Sequence, residues 1–140
     1  MLSYSTFREA AESGTITSAD TTRQAISDIQ SKKHLNAFLT VCENEALTHA
    51  EKSDEHFSAN TARLLEGMTI ALKDNISTKG IRTTCASKIL ENFIPVYDAT
   101  IVERMDAHGG VIVGKTNLDE FAMGSTNENY ALGPFYFAFG

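Results

Sequence analysis

The hydrophobic rhythm of the chain changes near position 64. Before it, apolar residues recur at helical spacing; after it, they gather into short runs bounded by glycine. Thr6 and Glu9 form a T-x-x-E capping box, which predicts a helix beginning at Phe7 and stopped by Gly14. Thr17 stands as the cap of a second helix, with Asp20 in its first turn. Thr22, Ala25, Ile26 and Ile29 mark one face of that helix, and Lys32 and Lys33 suit its end. Leu35, Ala37, Leu39 and Val41 alternate, as an extended segment does. Glu43 to Phe57 predicts a third helix with Ala46, Leu47, Ala50 and Phe57 turned inward.

From Gly67 onward the pattern is mixed. Thr69 to Leu72 predicts a buried strand, and Ser87 to Leu90 a short helix. Pro95 breaks the chain before Asp98, which is placed to cap a helix whose Ile101, Val102 and Met105 face the core. Gly109 and Gly110 stop it. Val111-Ile112-Val113 is wholly apolar and β-branched between glycines, the pattern of a central strand buried on both faces. Asn117 caps a further helix, with Asp119 and Glu120 in its first turn. The order strand, helix, strand, helix predicts a right-handed βαβ unit. The expected fold class is therefore α/β: N-terminal helices, then the start of a mixed β-sheet with flanking helices. Residues 1–63 form the helical segment, 64–134 the first part of the α/β core, and 135–140 an aromatic tail, Phe135-Tyr136-Phe137-Ala138-Phe139-Gly140.

Composition narrows the functional classes. A net charge of −6 and a pI near 5.1 argue against a segment that grips a nucleic-acid backbone, which needs clustered Lys and Arg. Cys42 and Cys85 lie far apart without a pairing or metal spacing, which fits a reducing compartment. The start, Met1-Leu2-Ser3-Tyr4, lacks a basic n-region and an apolar h-region, and no run approaches the ~18 apolar residues of a membrane span. No membrane association and a cytoplasmic location are expected. His34, His49, His56 and His108 do not share the i,i+4 spacing of ligands on one helix, so no metal site is expected.

Lys73 closes the alternating segment Thr69-Ile70-Ala71-Leu72. A buried lysine is disfavoured in its charged form, and a neutral lysine can take a proton from a serine hydroxyl. Lysines at strand ends also commonly reach out to water. Asp74 and Asn75 follow directly; they suit a turn, and they are placed to support the lysine by hydrogen bonds. Gly114-Lys115-Thr116 lacks the upstream glycine of a phosphate loop, so nucleotide binding is not expected there. Met123-Gly124-Ser125 reads either as a helix end or as a place where backbone approaches a substrate closely.

Several stretches then occur in one order: Lys73-Asp74-Asn75-Ile76, Thr83-Thr84-Cys85-Ala86-Ser87-Lys88-Ile89-Leu90, Tyr97-Asp98-Ala99-Thr100, and Gly114-Lys115-Thr116-Asn117-Leu118-Asp119-Glu120-Phe121-Ala122-Met123-Gly124-Ser125. This run resembles the amidase signature family, strongly over about residues 64–134 and weakly through the N-terminal helices. The resemblance implies an incomplete amidase signature fold and a Ser–cis-Ser–Lys triad in which Lys73 is the catalytic lysine. It implies that Met123, Gly124 and Ser125 line the substrate pocket, with Ser125 not the nucleophile. Both triad serines are expected downstream of Ser125, in a Gly/Ser-rich stretch and the segment that follows it; this chain contains no such stretch. The chain is thus expected to be the N-terminal part of a longer polypeptide and inactive by itself.

Within the family, the wording is nearest to the glutamine-hydrolysing, tRNA-linked amidotransferase branch. That branch implies glutamine as substrate, partner subunits B and C, and misacylated tRNA reached through the complex. ATP and Mg are used by the parent complex, with no cofactor in this chain. A stand-alone amidase and a catalytically dead interaction module are the alternatives.

Overall fold

The computed structural model describes residues 3–124 and 131–136. Two helices come first, α1 (Tyr4–Glu12) and α2 (Ser18–Ser31), followed by strand β1 (Phe38–Val41) and helix α3 (Glu43–Ser58). Strand β2 (Thr69–Lys73), helix α4 (Thr100–Ala107) and strand β3 (Val111–Thr116) complete the regular elements, with short 3-10 turns at Lys33–Leu35, Lys88–Leu90 and Glu120–Ala122. The three strands form one mixed sheet in the order β1-β3-β2; β3 pairs antiparallel with β1 and parallel with β2. The α/β class is as expected.

The wholly apolar run at Val111 becomes the central strand because it can be covered from both sides. Val111 and Val113 pack with Ile26 of α2 and with Ala46 and Ala50 of α3 into the main core. The small alanines let α3 lie close on the sheet. Residues on both sides of position 64 therefore share one core, and β1, from the helical half, adds a strand to the sheet. A second cluster joins Phe7 and Ala11 to Phe57. Gly114 is needed where β1 crosses: a Cβ there would run into the Thr40 carbonyl oxygen and the Phe38 ring.

Several local expectations are corrected. α1 starts three residues early, because Ser3 rather than Thr6 is the cap; its Oγ accepts from the Thr6 amide at 3.2 Å. Asp98 does not cap α4. Its carboxylate accepts from the Lys79 amide at 2.7 Å, and Ala99 occupies the cap position. Val102 is buried but Ile101 is 46% exposed, so α4 turns one narrow stripe inward. Asn117 opens no helix: its side chain accepts from the Leu118 amide and donates to the carbonyls of Asn36 and Gly133, and only a single 3-10 turn follows. β2 is an alternating strand, not a wholly buried one. Ile70 and Leu72 face inward while Thr69, Ala71 and Lys73 are exposed. Among the described residues, no helix is long and apolar enough to cross a membrane.

A half-buried ion pair lies where the helical half meets α4, and its arginine, Arg63, also donates to the Asp106 carbonyl at 3.4 Å. Glu66 is fully buried, and its carboxylate takes two bonds from the Arg63 guanidinium, at 2.7 and 2.9 Å, and one from the Arg63 amide at 3.1 Å. Gly109, at φ +86°, lies over this carboxylate; a Cβ there would sit 2.7 Å from the Glu66 Cδ. Burial alone raises the Glu66 pKa, but the bonds from Arg63 outweigh it and hold the carboxyl below its ordinary range. A lowered carboxylate contributes stability above its unfolded pKa of about 4.3, and that contribution disappears as pH falls through the lowered folded value. Arg63→Ala leaves the buried carboxylate without its cation. With Arg63 partly exposed, the expected cost is about 2–3 kcal/mol at neutral pH, below that of a wholly buried pair. Urea unfolding at neutral and acidic pH checks this, and the gap between wild type and variant is expected to close toward acid.

Candidate active site

The carboxyl ends of β2 and β3 lie side by side, with Lys73 opposite Thr116 and Leu72 opposite Lys115. Side chains alternate across a strand. The two lysines therefore meet different surroundings. Lys73 ends its strand as the sequence predicts, but it is exposed rather than buried. β2 is an edge of the three-stranded sheet, and no described element covers the face that carries Thr69, Ala71 and Lys73. No side chain among the described residues pairs with the Lys73 ammonium.

The buried lysine is Lys115, wholly excluded from solvent. Its ammonium donates to the Ile76 carbonyl at 2.6 Å, to Thr83 Oγ1 at 2.8 Å and to Thr78 Oγ1 at 3.3 Å. Asp74 Oδ1 lies 3.7 Å away, an ion pair too long for a hydrogen bond. Burial pushes the Lys115 pKa down, and the Asp74 carboxylate opposes that shift. All three ammonium protons are engaged, so this lysine is closed to a substrate. The sequence pattern marks Lys115 only as part of an incomplete phosphate loop and misses this role. The available signal was a lysine closing the wholly apolar run of β3.

Asp74 is fully buried. Its Oδ2 accepts from the Thr84 amide at 2.8 Å and from the Thr84 hydroxyl. Asn75 is exposed, and its side chain holds nothing among the described residues. Cys85 then joins two segments. Its amide donates to the Asp74 carbonyl at 3.0 Å, and its carbonyl accepts from the Phe121 amide at 2.9 Å. Cys85, Ala86, Phe121 and Ala122 all sit at positive φ, between +52° and +60°. Such non-glycine conformations persist only where neighbours over-determine them. Ser87 provides one such restraint, donating to Glu120 at 2.5 Å.

This bridge places Met123 and Gly124 in the segment bonded through Cys85 to Asp74. Met123 is 75% exposed, and a Cβ on Gly124 would collide with the Asp119 side chain at 2.6 Å. Ser125 lies outside the described residues, as does the tail beyond Tyr136. Segment 131–136 is held by Asn36, whose amide donates to the carbonyls of Leu132, Gly133 and Pro134. Both thiols are pushed up by burial, Cys42 to about 11 and Cys85 also above its ordinary value, so neither is an activated nucleophile. His49 approaches Asp106 at 3.8 Å while His56 bonds Thr61, so these histidines have separate partners.

Residues 20–137 match the profile of the amidase family. The chain is 56% identical over 111 residues to the A subunit of mitochondrial glutamyl-tRNA(Gln) amidotransferase from Anopheles gambiae, an alignment covering 79% of this chain and 23% of that protein. It is 48% identical over 133 residues to the A subunit of the Chlorobium phaeobacteroides glutamyl-tRNA(Gln) amidotransferase, covering 94% of this chain and 28% of that one. Among solved structures, the corresponding A subunit from Thermotoga maritima matches with a TM-score of 0.68 at 40% identity, over 84% of this chain and 24% of that chain. An inhibitor-bound structure of a vestigial protein complex, described with the evolutionary origins of an s-triazine catabolic enzyme, matches with a TM-score of 0.89 at 30% identity, over 96% and 30%. The chain spans about a quarter of the length of the curated relatives it matches.

The geometry separates the two lysines' neighbourhoods by stability. Lys73→Ala, at an exposed strand end, is expected to change unfolding free energy by less than about 0.5 kcal/mol. Asp74→Ala removes a buried carboxylate beside a buried ammonium and is expected to cost about 3–5 kcal/mol. Denaturant melts of the two variants side by side test the contrast, and equal losses would contradict it.

Proposed function

The chain belongs to the amidase family, and on that premise we propose that it forms part of the glutamine-hydrolysing subunit of an ATP-dependent aspartyl/glutamyl-tRNA amidotransferase. The observation that carries this reading is the difference between the two neighbouring lysines. Lys115 has every proton engaged, whereas Lys73 is fixed through its backbone and its ammonium meets no partner side chain among the described residues. A base has to be positioned yet chemically free, and Lys73 meets both conditions.

In the complete protein, neutral Lys73 takes a proton from a cis-serine, which in turn activates a nucleophilic serine. That serine adds to the side-chain carbonyl of glutamine, and ammonia departs. Water then releases glutamate from the glutamyl-enzyme. Met123, Gly124 and Ser125 line the pocket, and Asp74 fixes the start of the loop behind the base. The exposed face of Thr69, Ala71 and Lys73 is where further residues pack and withdraw Lys73 from water, which favours its neutral form. Ammonia passes to partner subunits B and C, which use ATP and Mg to form Gln-tRNA(Gln) or Asn-tRNA(Asn) in the cytoplasm. The acidic charge of this chain suits a subunit that leaves the tRNA backbone to its partners. The relatives named as amidotransferase A subunits support this reading over a stand-alone amidase or a catalytically dead module.

The test is ammonia release from glutamine by the protein at full length. Lys73→Ala is expected to reduce it to background, while Lys88→Ala, on an exposed turn, leaves it within about twofold of wild type. Retained activity in Lys73→Ala would sink the assignment. The 140-residue chain alone is expected to release no ammonia, since it holds the lysine without the serine pair the lysine would activate.

A further inference from the structure

A lysine is rarely buried unless its charge is met, because removing an ammonium from water costs several kcal/mol. Lys115 is the largest fully buried side chain among the described residues. Every group that meets its ammonium comes from one loop: Asp74, Ile76, Thr78 and Thr83. That loop begins at the residue after Lys73. Its far end, at Thr84 and Cys85, returns to Asp74 and reaches on to Phe121. An apolar side chain at position 115 would leave a carbonyl, two hydroxyls and a carboxylate oxygen without their cation. A planar guanidinium would not match acceptors converging on one point, as a compact three-proton ammonium does.

We propose that Lys115 is a positioning residue for Lys73: its ammonium clips the 74–84 loop, which starts at the residue after Lys73, to β3 and so fixes where the Lys73 segment stands. The proposal rests on the amidase reading given above. The ionisable groups gathered around the clip are Asp74, Cys42 and Cys85. Both thiols are pushed up by burial, and Asp74 is the carboxylate that lies beside the ammonium, at 3.7 Å.

The experiment is the separate measurement of kcat and KM for glutamine hydrolysis by the full-length protein, carried out on Lys115→Met and Thr83→Val. Activities are normalised to the folded fraction measured by thermal melting. Lys115→Met is expected to lower kcat about tenfold or more through misplacement, with KM within about twofold. Thr83→Val, which removes one acceptor of the clip, is expected to lower kcat about threefold, again with KM within about twofold. A wild-type kcat in whichever variants fold would overturn the proposal and leave Lys115 a purely structural clip. Should Lys115→Met fail to fold, Thr83→Val decides by the loss or retention of kcat. Failure of the amidase reading is a separate outcome, since Lys73→Ala would then retain activity whatever Lys115 does.

Discussion

Charge taken out of water is costly, and the structure around the sheet's carboxyl end is arranged so that one such charge is met on all sides. The Lys115 ammonium sits within reach of four groups of one loop, and that loop joins the end of β2 to the segment before α4. Without the ammonium, the loop has three acceptors and a carboxylate turned toward an apolar interior. With it, the loop has one arrangement. The Asp74–Thr84 bonds, the Cys85 bridge and the left-handed backbone at Phe121 follow from that arrangement, because each is anchored on a residue whose place it sets. Backbone strain at four non-glycine positions is tolerated here because the hydrogen bonds around it admit no alternative.

The same physics separates the two neighbouring lysines. Strand alternation sends one inward and one outward from adjacent ladder positions. The inward one is closed by its partners, and the outward one meets no partner side chain among the described residues.

Much of the fold was legible from pattern. The central strand was evident because Val111-Ile112-Val113 is apolar throughout, and α2 and α3 because their apolar faces and the Thr17 cap agree. Errors gathered where side chains bond across the chain instead of locally. Asp98 looked like a helix cap but serves the Lys79 amide, and Asn117 looked like another but holds Asn36 and Gly133. Such partners are distant in sequence, so spacing cannot reveal them. Of the candidate site, the resemblance singled out Lys73 and the turn singled out Asp74; in the structure Asp74 is buried against Thr84 and Lys73 is exposed. Lys73 closes a strand whose pattern marked it as buried. A lysine that closes an apolar run is buried at Lys115, whose strand is central, and exposed at Lys73, whose strand lies on the edge.

The strand order β1-β3-β2 also governs when this sheet can exist. β1 and β2 both precede β3 in the chain, and neither is hydrogen-bonded to the other. On a ribosome, the first strand therefore emerges without a partner, and so does the second. Both wait until the last of the three leaves the exit tunnel. Local helices form early and cheaply, but every ladder contact closes a long loop, which makes the sheet the slow step of assembly. During that interval the apolar faces of α2 and α3, meant for β3, have only each other to cover them.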